Sequence, residues 1–529
     1  MLITPNSKVK LIKNPLKLDS NNEMMFANTT AQYNYFTSLP KLEFDNLTYV
    51  RKDEVLRIPT DETGSGTTYE DLLQYNFCMY QNTHFDNKWF YAFITDVKWI
   101  NPSLTEIKLE TAYFQTWQFD LVYMDSFIER EHVNDDTIGI HTLPEGLETG
   151  EYVVNNVYND NTFLTNLVYI VGSTCYPNSA SAENSQAGSG VYNGIYSGVK
   201  YFRYDDVSSI DIILEIYAQA GKSDSITGIF LAPTLLAPLN TSSTYREVND
   251  SSAPYYYLYS INKNYTLDGY APKNNKLKCY PYNYLMATNN NGNAVTYRYE
   301  LFKGSTCDFG VYGTLTPGCS IFMNPVGYKR NTSTGSNYSE GLTAGKFPTC
   351  NFANDMYTNW LTQQSVNHSY DLLKSGVTGF TGGMAIGGVA GGVIGGTLGL
   401  AGTIWQQMRE KENHQFIPPQ VQGNINCGDV TTSLGINTFS YYQMSIRSEF
   451  ASIIDSYFSM YGYLVNRVGT PHLHVRTYYD YIKTNGINIE GNVPEPDLNQ
   501  IRSMFDNGIR FWHDTSKYLD FSVNNSIIS

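Results

Sequence analysis

The sequence predicts a mainly β chain, α+β in class, and three observations lead there. Tyr and Phe occur 44 and 26 times in 529 residues while only 16% of residues are charged, a composition that favours strands and broad aromatic contact surfaces. Many short segments alternate polar and apolar residues at the two-residue period of a half-buried strand, with Asn-, Ser- and Gly-rich stretches between them. Helical periodicity is confined to the last third of the chain, where it flanks one long uncharged run. The length exceeds one ordinary core, so roughly two to four domains are expected.

Residues 1–150 read as strands. Trp89–Val97 is aromatic or aliphatic at every position but Thr95 and Asp96, and Thr105–Thr111 alternates in the period of a strand with one wet face. Asp125–His132 leaves this region with a charged edge, and Glu129, Arg130, Glu131 and His132 read as a surface ion-pair cluster. Residues 151–350 form a β-rich middle domain of short aromatic strands. Its loops at 178–190, 289–293 and 331–341 are Asn-, Ser- and Gly-rich and read as surface connections without chemistry.

Residues 351–429 differ. Asn354 is a candidate N-cap for a helical segment carrying Met356, Trp360, Leu361, Leu372 and Leu373, and the polar helix beginning at Ile404 is stopped by Pro418 and Pro419. Between Lys374 and Arg409 lie 34 residues without Asp, Glu, Lys, Arg or His. Their length suits a bilayer, since ~20 apolar residues cross one as a helix. Twelve of the residues from Gly376 to Gly402 are glycine, however. An isolated helix there carries a penalty of about 6–12 kcal/mol relative to Ala.

Gly383, Gly387, Gly391, Gly395 and Gly399 recur every four residues, which on a helix makes a bare ridge. Met384, Ile386, Val389, Val393, Ile394 and Leu400 project from other faces, and Phe380, Leu398, Ile404 and Trp405 add apolar bulk toward the ends. Such a ridge lets helices approach closely in membranes; a Gly-rich loop packed inside an assembly is the alternative. Nine Val, Ile, Leu or Phe residues give about −3 to −5 kcal/mol of insertion energy, which suits conditional rather than permanent insertion. Gly376–Trp405 is therefore the candidate membrane-active loop. Residues 430–529 return to mixed structure, with Glu449–Met460 and Asp497–Phe505 helical and His472–Ile482 strand-like.

The net charge of −15 argues against wrapping nucleic acid through its phosphates, and is compatible with a surface past which DNA slides without sticking. The first twenty residues lack the apolar core of a secretory leader. Seven cysteines, odd in number and without a C-x-x-C pair, suggest free thiols made in a reducing cytoplasm. No metalloprotease, nucleophile-elbow, phosphate-loop or dinucleotide motif is present. His472 and His474 would share one face of a strand, but no Cys or carboxylate cluster accompanies them in sequence. No catalytic, cofactor-binding or metal-binding residue is assigned.

Several stretches together resemble the distal tail knob (tail tube) proteins of short-tailed bacteriophages that infect Gram-positive bacteria. They are Gln32–Ser38, Asn87–Phe93, Gln115–Trp117, Phe127–Val133 and Glu145–Leu147 near the start, and Ile417–Gln420 after the uncharged run. Tyr461–Tyr463, Asn466–Val468, Ile501–Ile509 and Trp512–His513 follow near the end. The resemblance implies tandem β-barrel-like domains forming a homohexameric tube, with a helix–apolar loop–helix excursion. Residues 1–150 would then form the tube, 151–350 the knob, and 430–529 would pack back on the tube. It also implies a virion protein, made in the host cytoplasm, that meets the upper tail (lower collar) protein. Its loops would plug the lumen until infection, then enter the host cytoplasmic membrane to pass genomic DNA. A receptor-binding adhesin, with the Tyr-rich middle stacking on wall polysaccharide, is the alternative, and a wall-degrading enzyme a more distant one.

Overall fold

A computed structural model describes residues 7–528 apart from 351–438 and short stretches at 48–54, 62–65, 82–86, 165, 178–185, 221, 223–224, 291, 316–318, 331, 337–339 and 346–348. The described chain is mainly β, as the composition predicts, and divides into two compact units. One comprises Met1–Glu148, Pro272–Lys276 and Glu449–Ser529; the other comprises Thr149–Ala271 and Leu277–Ser448.

The first unit holds a six-stranded antiparallel sheet in the order Lys41–Asp45, Lys8–Ile12, Phe77–Gln81, Trp89–Asn101, Leu104–Thr111, Val55–Pro59. Leu104–Thr111 buries Thr105, Ile107, Leu109 and Thr111 and turns the residues between them outward, the alternation expected of it. A second sheet runs Asn22–Met24, Ile509–Trp512, Tyr479–Thr484, Ser126–Glu131, Tyr463–Gly469, so it draws strands from both ends of the chain. Helix Glu495–Asn507 buries Leu498, Ile501 and Phe505 at helical spacing, and the Asp497 carboxylate accepts a 2.9 Å bond from the Trp117 indole. Helix Thr29–Ser38 lies in a region whose sequence reads as strands. Its signal is local: the Asn28 side chain caps Ala31 N at 2.8 Å, and Phe36 is driven against Phe77 at 5.0 Å.

In the second unit, one sheet runs Tyr152–Asp160, Phe439–Ile446, Asn283–Thr288, Ala294–Tyr297, and another runs Tyr255–Asn262, Thr306–Thr314, Ser320–Val326, Leu342–Gly345. Their inner faces meet in an aromatic core. Tyr441 lies 4.9 Å from Phe309 and 5.3 Å from Tyr259, and Tyr297 lies 5.1 Å from Phe309. A third sheet, Lys200–Tyr204, Leu167–Ser173, Ile226–Pro233, Thr349–Cys350, belongs to the same unit, as does helix Val207–Gln219.

Gly462 joins helix Ser448–Tyr461 to strand Tyr463–Gly469 at φ +64°, the left-handed region that closes helices without Cβ strain. A Cβ there would stand 2.1 Å from the Glu131 carbonyl oxygen. Gly486 has φ +71° but open space around it. Gly462→Ala should therefore lower unfolding stability by at least about 2 kcal/mol and Gly486→Ala by only about 1 kcal/mol. Calorimetry of the two variants would show equal losses if backbone conformation alone, rather than the contact with Glu131, set the requirement.

Candidate functional site

All sixteen residues assigned to the membrane-active loop, from Gly376 to Trp405, lie outside the described residues, as do Asn354, Trp360, Pro418 and Pro419. The structure describes how the chain on either side of them is held. On the outgoing side, Leu342–Gly345 is the edge strand beside Ser320–Val326, and Thr349–Cys350 pairs with Ile229 and Phe230. On the returning side, Phe439–Ile446 is inserted between Tyr152–Asp160 and Asn283–Thr288, with Phe439 and Tyr441 wholly buried.

One turn touches both sides. Asn289 Nδ2 donates to the Thr343 carbonyl at 2.8 Å, and Asn290 Nδ2 donates to Ser440 Oγ at 3.1 Å. Asn290 adopts φ +57°, a conformation Asn tolerates better than most residues. The sequence marks 289–293 as a surface connection, yet Asn289 is buried. Composition could not reveal this, because the partners lie 54 and 150 residues away.

The same unit carries an aromatic row. Tyr256 and Tyr312 rings are 4.9 Å apart, and Tyr312 stacks on Phe322 at 5.4 Å. Gly310 makes room for it, since a Cβ there would come within 3.0 Å of the Tyr256 ring. Tyr256 is half exposed. A partly open row of rings at strand spacing can stack on flat apolar faces, sugar rings included.

Arg130, Glu131 and His132 are buried, which overturns their reading as a surface cluster, while Glu129 stays partly exposed. Ser126–Glu131 pairs on both sides, and its register shifts at Glu129 against both neighbours, which breaks the alternation and leaves Arg130 and Glu131 both buried. Glu129, on the wetter face, meets Lys483 at 2.8 Å. Glu131 is buried and bonded to Arg467 Nε at 2.5 Å, with His472 Nδ1 at 3.4 Å. Burial opposes ionisation of Glu131, but the contacts from His472 and Arg467 outweigh it and hold the carboxyl below its ordinary value. Arg130 reaches the Gly462 carbonyl at 2.8 Å and also bonds Glu145, which Lys276 joins.

His132 accepts from Tyr481 N through Nδ1 at 3.0 Å, leaving Nε2 to donate to the Ser459 carbonyl at 3.2 Å. Both nitrogens are thus engaged, and the ring has none free to move a substrate proton. Asp480 is buried and accepts from Val475 N at 3.0 Å, Arg476 N at 3.3 Å and His513 Nε2 at 2.9 Å. His472 and His474 do not share a strand face: the chain bends at 473–474, and His474 packs on His513 at 4.0 Å while His472 turns to Glu131. Among the described residues, no group of three or more His, Cys, Asp or Glu side chains is arranged to hold a metal ion. Cys78, Cys175, Cys279, Cys307 and Cys319 are free thiols.

Burial pulls the His132 value from 6.5 to about 4. A base with a depressed folded-state value takes its proton more readily when unfolded. Its contribution is therefore complete above pH 6.5 and is lost as pH falls towards 4, by up to about 3 kcal/mol. Urea unfolding midpoints of His132→Gln should fall less steeply than wild type across that window. Parallel curves from pH 7 to 4 would show that the ring is not buried neutral.

Residues 243–526 match the family described as the C-terminal domain of tail knob protein gp9 of Bacillus phage phi29, and residues 5–122 match the Caudoviral major tail protein N-terminus. The chain is 25% identical to tail knob protein gp9 of Bacillus phage phi29 and 26% identical to that of Bacillus phage PZA, across 97% of each chain in both cases. Its fold is similar to that of the bacteriophage C1 tail knob protein gp12, with a TM-score of 0.65, 17% identity, and coverage of 99% of this chain and 100% of the other.

Proposed function

The chain belongs to the phage phi29 tail knob protein family, and since it is thereby a structural tail component of a short-tailed phage virion, we propose that Gly376–Trp405 is the membrane-active element of that tail. The observation that carries this reading is the 34-residue stretch without a charge or His, set in a chain that is otherwise polar and net acidic. Its insertion energy of about −3 to −5 kcal/mol is too small to hold a glycine-rich helix in lipid unaided. Close packing of glycine ridges between identical copies supplies what insertion alone does not. The element is therefore conditional: sheltered in an assembly first, inserted later.

In this reading six copies form a tube on the upper tail, the loops close its lumen, and their entry into the host cytoplasmic membrane opens a path for DNA. The acidic chain favours passage, because like charge keeps the polymer from adhering. The protein acts without catalysis. A second role, recognition of wall polysaccharide, is favoured by the row formed by Tyr256, Tyr312 and Phe322.

Purified full-length protein should release dye from liposomes, and deletion of 376–405 should abolish release while leaving the assembled particle intact. Intact assemblies that release no dye at any pH would remove the membrane role. Tyr312→Ala should weaken binding of the protein to host cell walls about tenfold if the aromatic row stacks on sugars, given ~1.4 kcal/mol per decade. Unchanged wall binding would discard the second role.

A further inference from the structure

One sheet of the second unit is apolar on the face that antiparallel sheets ordinarily give to water. Its register places Val154, Met444 and Tyr284 in one row across strands Tyr152–Asp160, Phe439–Ile446 and Asn283–Thr288, and Val157, Tyr442 and Met286 in the next. The alternate residues Phe439, Tyr441 and Gln443 fill the core on the opposite face. Val154 and Val157 are nevertheless 48% and 49% exposed, and the other four members of the rows are partly exposed.

The rows continue into a line of rings: Tyr152 lies 5.7 Å from Tyr284, and Tyr284 lies 5.7 Å from Tyr280. The Arg298 guanidinium sits 4.4 Å from the Tyr280 centroid. No Asp, Glu or Lys stands in either row. Tyr, Met and Arg without Lys, Asp or Glu is the composition of a protein interface core.

Among the described residues, the strand at the rim of this face is open on its outer side. Tyr152–Asp160 is nine residues long, and among the described strands it pairs only with Phe439–Ile446. It contains neither Lys nor Pro, the usual guards of an edge, and carries one bulge between Val154 and Asn156. The exposed parts of these side chains amount to on the order of 500 Å², at the upper end for a monomer patch and a large part of the ~800 Å² each partner gives to a standard interface.

We propose that this face and its open edge are where a second copy of the same chain docks. Charge selects the occupant. At −15 per copy, identical chains repel, and they approach most easily through a face that carries no acid. The rim offers both signs, through Arg298 on one side and the exposed Arg447–Glu151 pair at 3.1 Å on another, so a like copy can be met by opposite charge. The inference rests on the assembly reading above and names the surface that assembly uses.

The experiment compares full-length wild type, the double variant Val154→Lys/Val157→Lys, and Val468→Lys, a control at a 74% exposed position of the other unit. Light scattering after size-exclusion chromatography reads the mass, and circular dichroism checks folding. Wild type and Val468→Lys should be multimeric, while the double variant should dissociate at concentrations at least tenfold higher and remain folded. A photo-crosslinking residue at position 157 should join two full-length chains. A folded double variant with undiminished assembly, or crosslinks only within one chain, would overturn the docking surface while leaving assembly standing. A wild type that stays monomeric at every concentration would overturn both.

Discussion

Everything distinctive about this chain depends on strand Phe439–Ile446 being held between Tyr152–Asp160 and Asn283–Thr288. That pairing brings together backbone separated by hundreds of residues, and burial of Phe439 and Tyr441 among Tyr259, Tyr297 and Phe309 makes it hard to release. Loop closure grows only logarithmically with length, so a detour of this size is tolerated once its ends are paired. The returning root of the uncharged segment is thereby seated in a packed core. Asn289 and Asn290 add a local device, because a single turn bonds both the outgoing and the returning strand.

The first unit solves a different problem. Its five-stranded sheet holds Glu131 and Asp480, with His132 directly after the strand Ser126–Glu131, in positions without access to water, where unpaired charge would be costly. Each is met by specific partners: Arg467 and His472 for Glu131, backbone groups for His132, and two backbone amides with His513 for Asp480. Such groups resemble an active site when listed by type. Their bonds to fixed partners, with Asp480 Oδ1 alone among their side-chain oxygens and nitrogens left without a hydrogen bond, make them a means of specifying how strands from the two ends of the chain pair.

A structural tail component must be stable before infection, and in the proposed reading this one also carries an element that changes state. The division of chemistry along the chain fits that demand. Buried charge in the first unit is met by fixed partners, while the uncharged segment, in the proposed reading, takes its state from its surroundings. The apolar outer face of the Tyr152–Asp160 sheet belongs to the same logic if it docks as proposed: surface that costs free energy in one copy would become a contact in several.

Much of this was legible in the residues alone. Aromatic content and two-residue alternation determined the mainly β class, helical spacing located Ser448–Tyr461 and Glu495–Asn507, and the absence of charge marked 376–405. These are local properties, set by periodicity and solvation within a short window. What only the tertiary structure decided was long-range: the burial of Glu131 and His132, the different partners of His472 and His474, the clasp made by Asn289 and Asn290, and the apolar face spanning three distant strands. A side chain's environment depends on which strands lie beside it, and register between residues some 290 apart leaves no mark in the sequence of either partner.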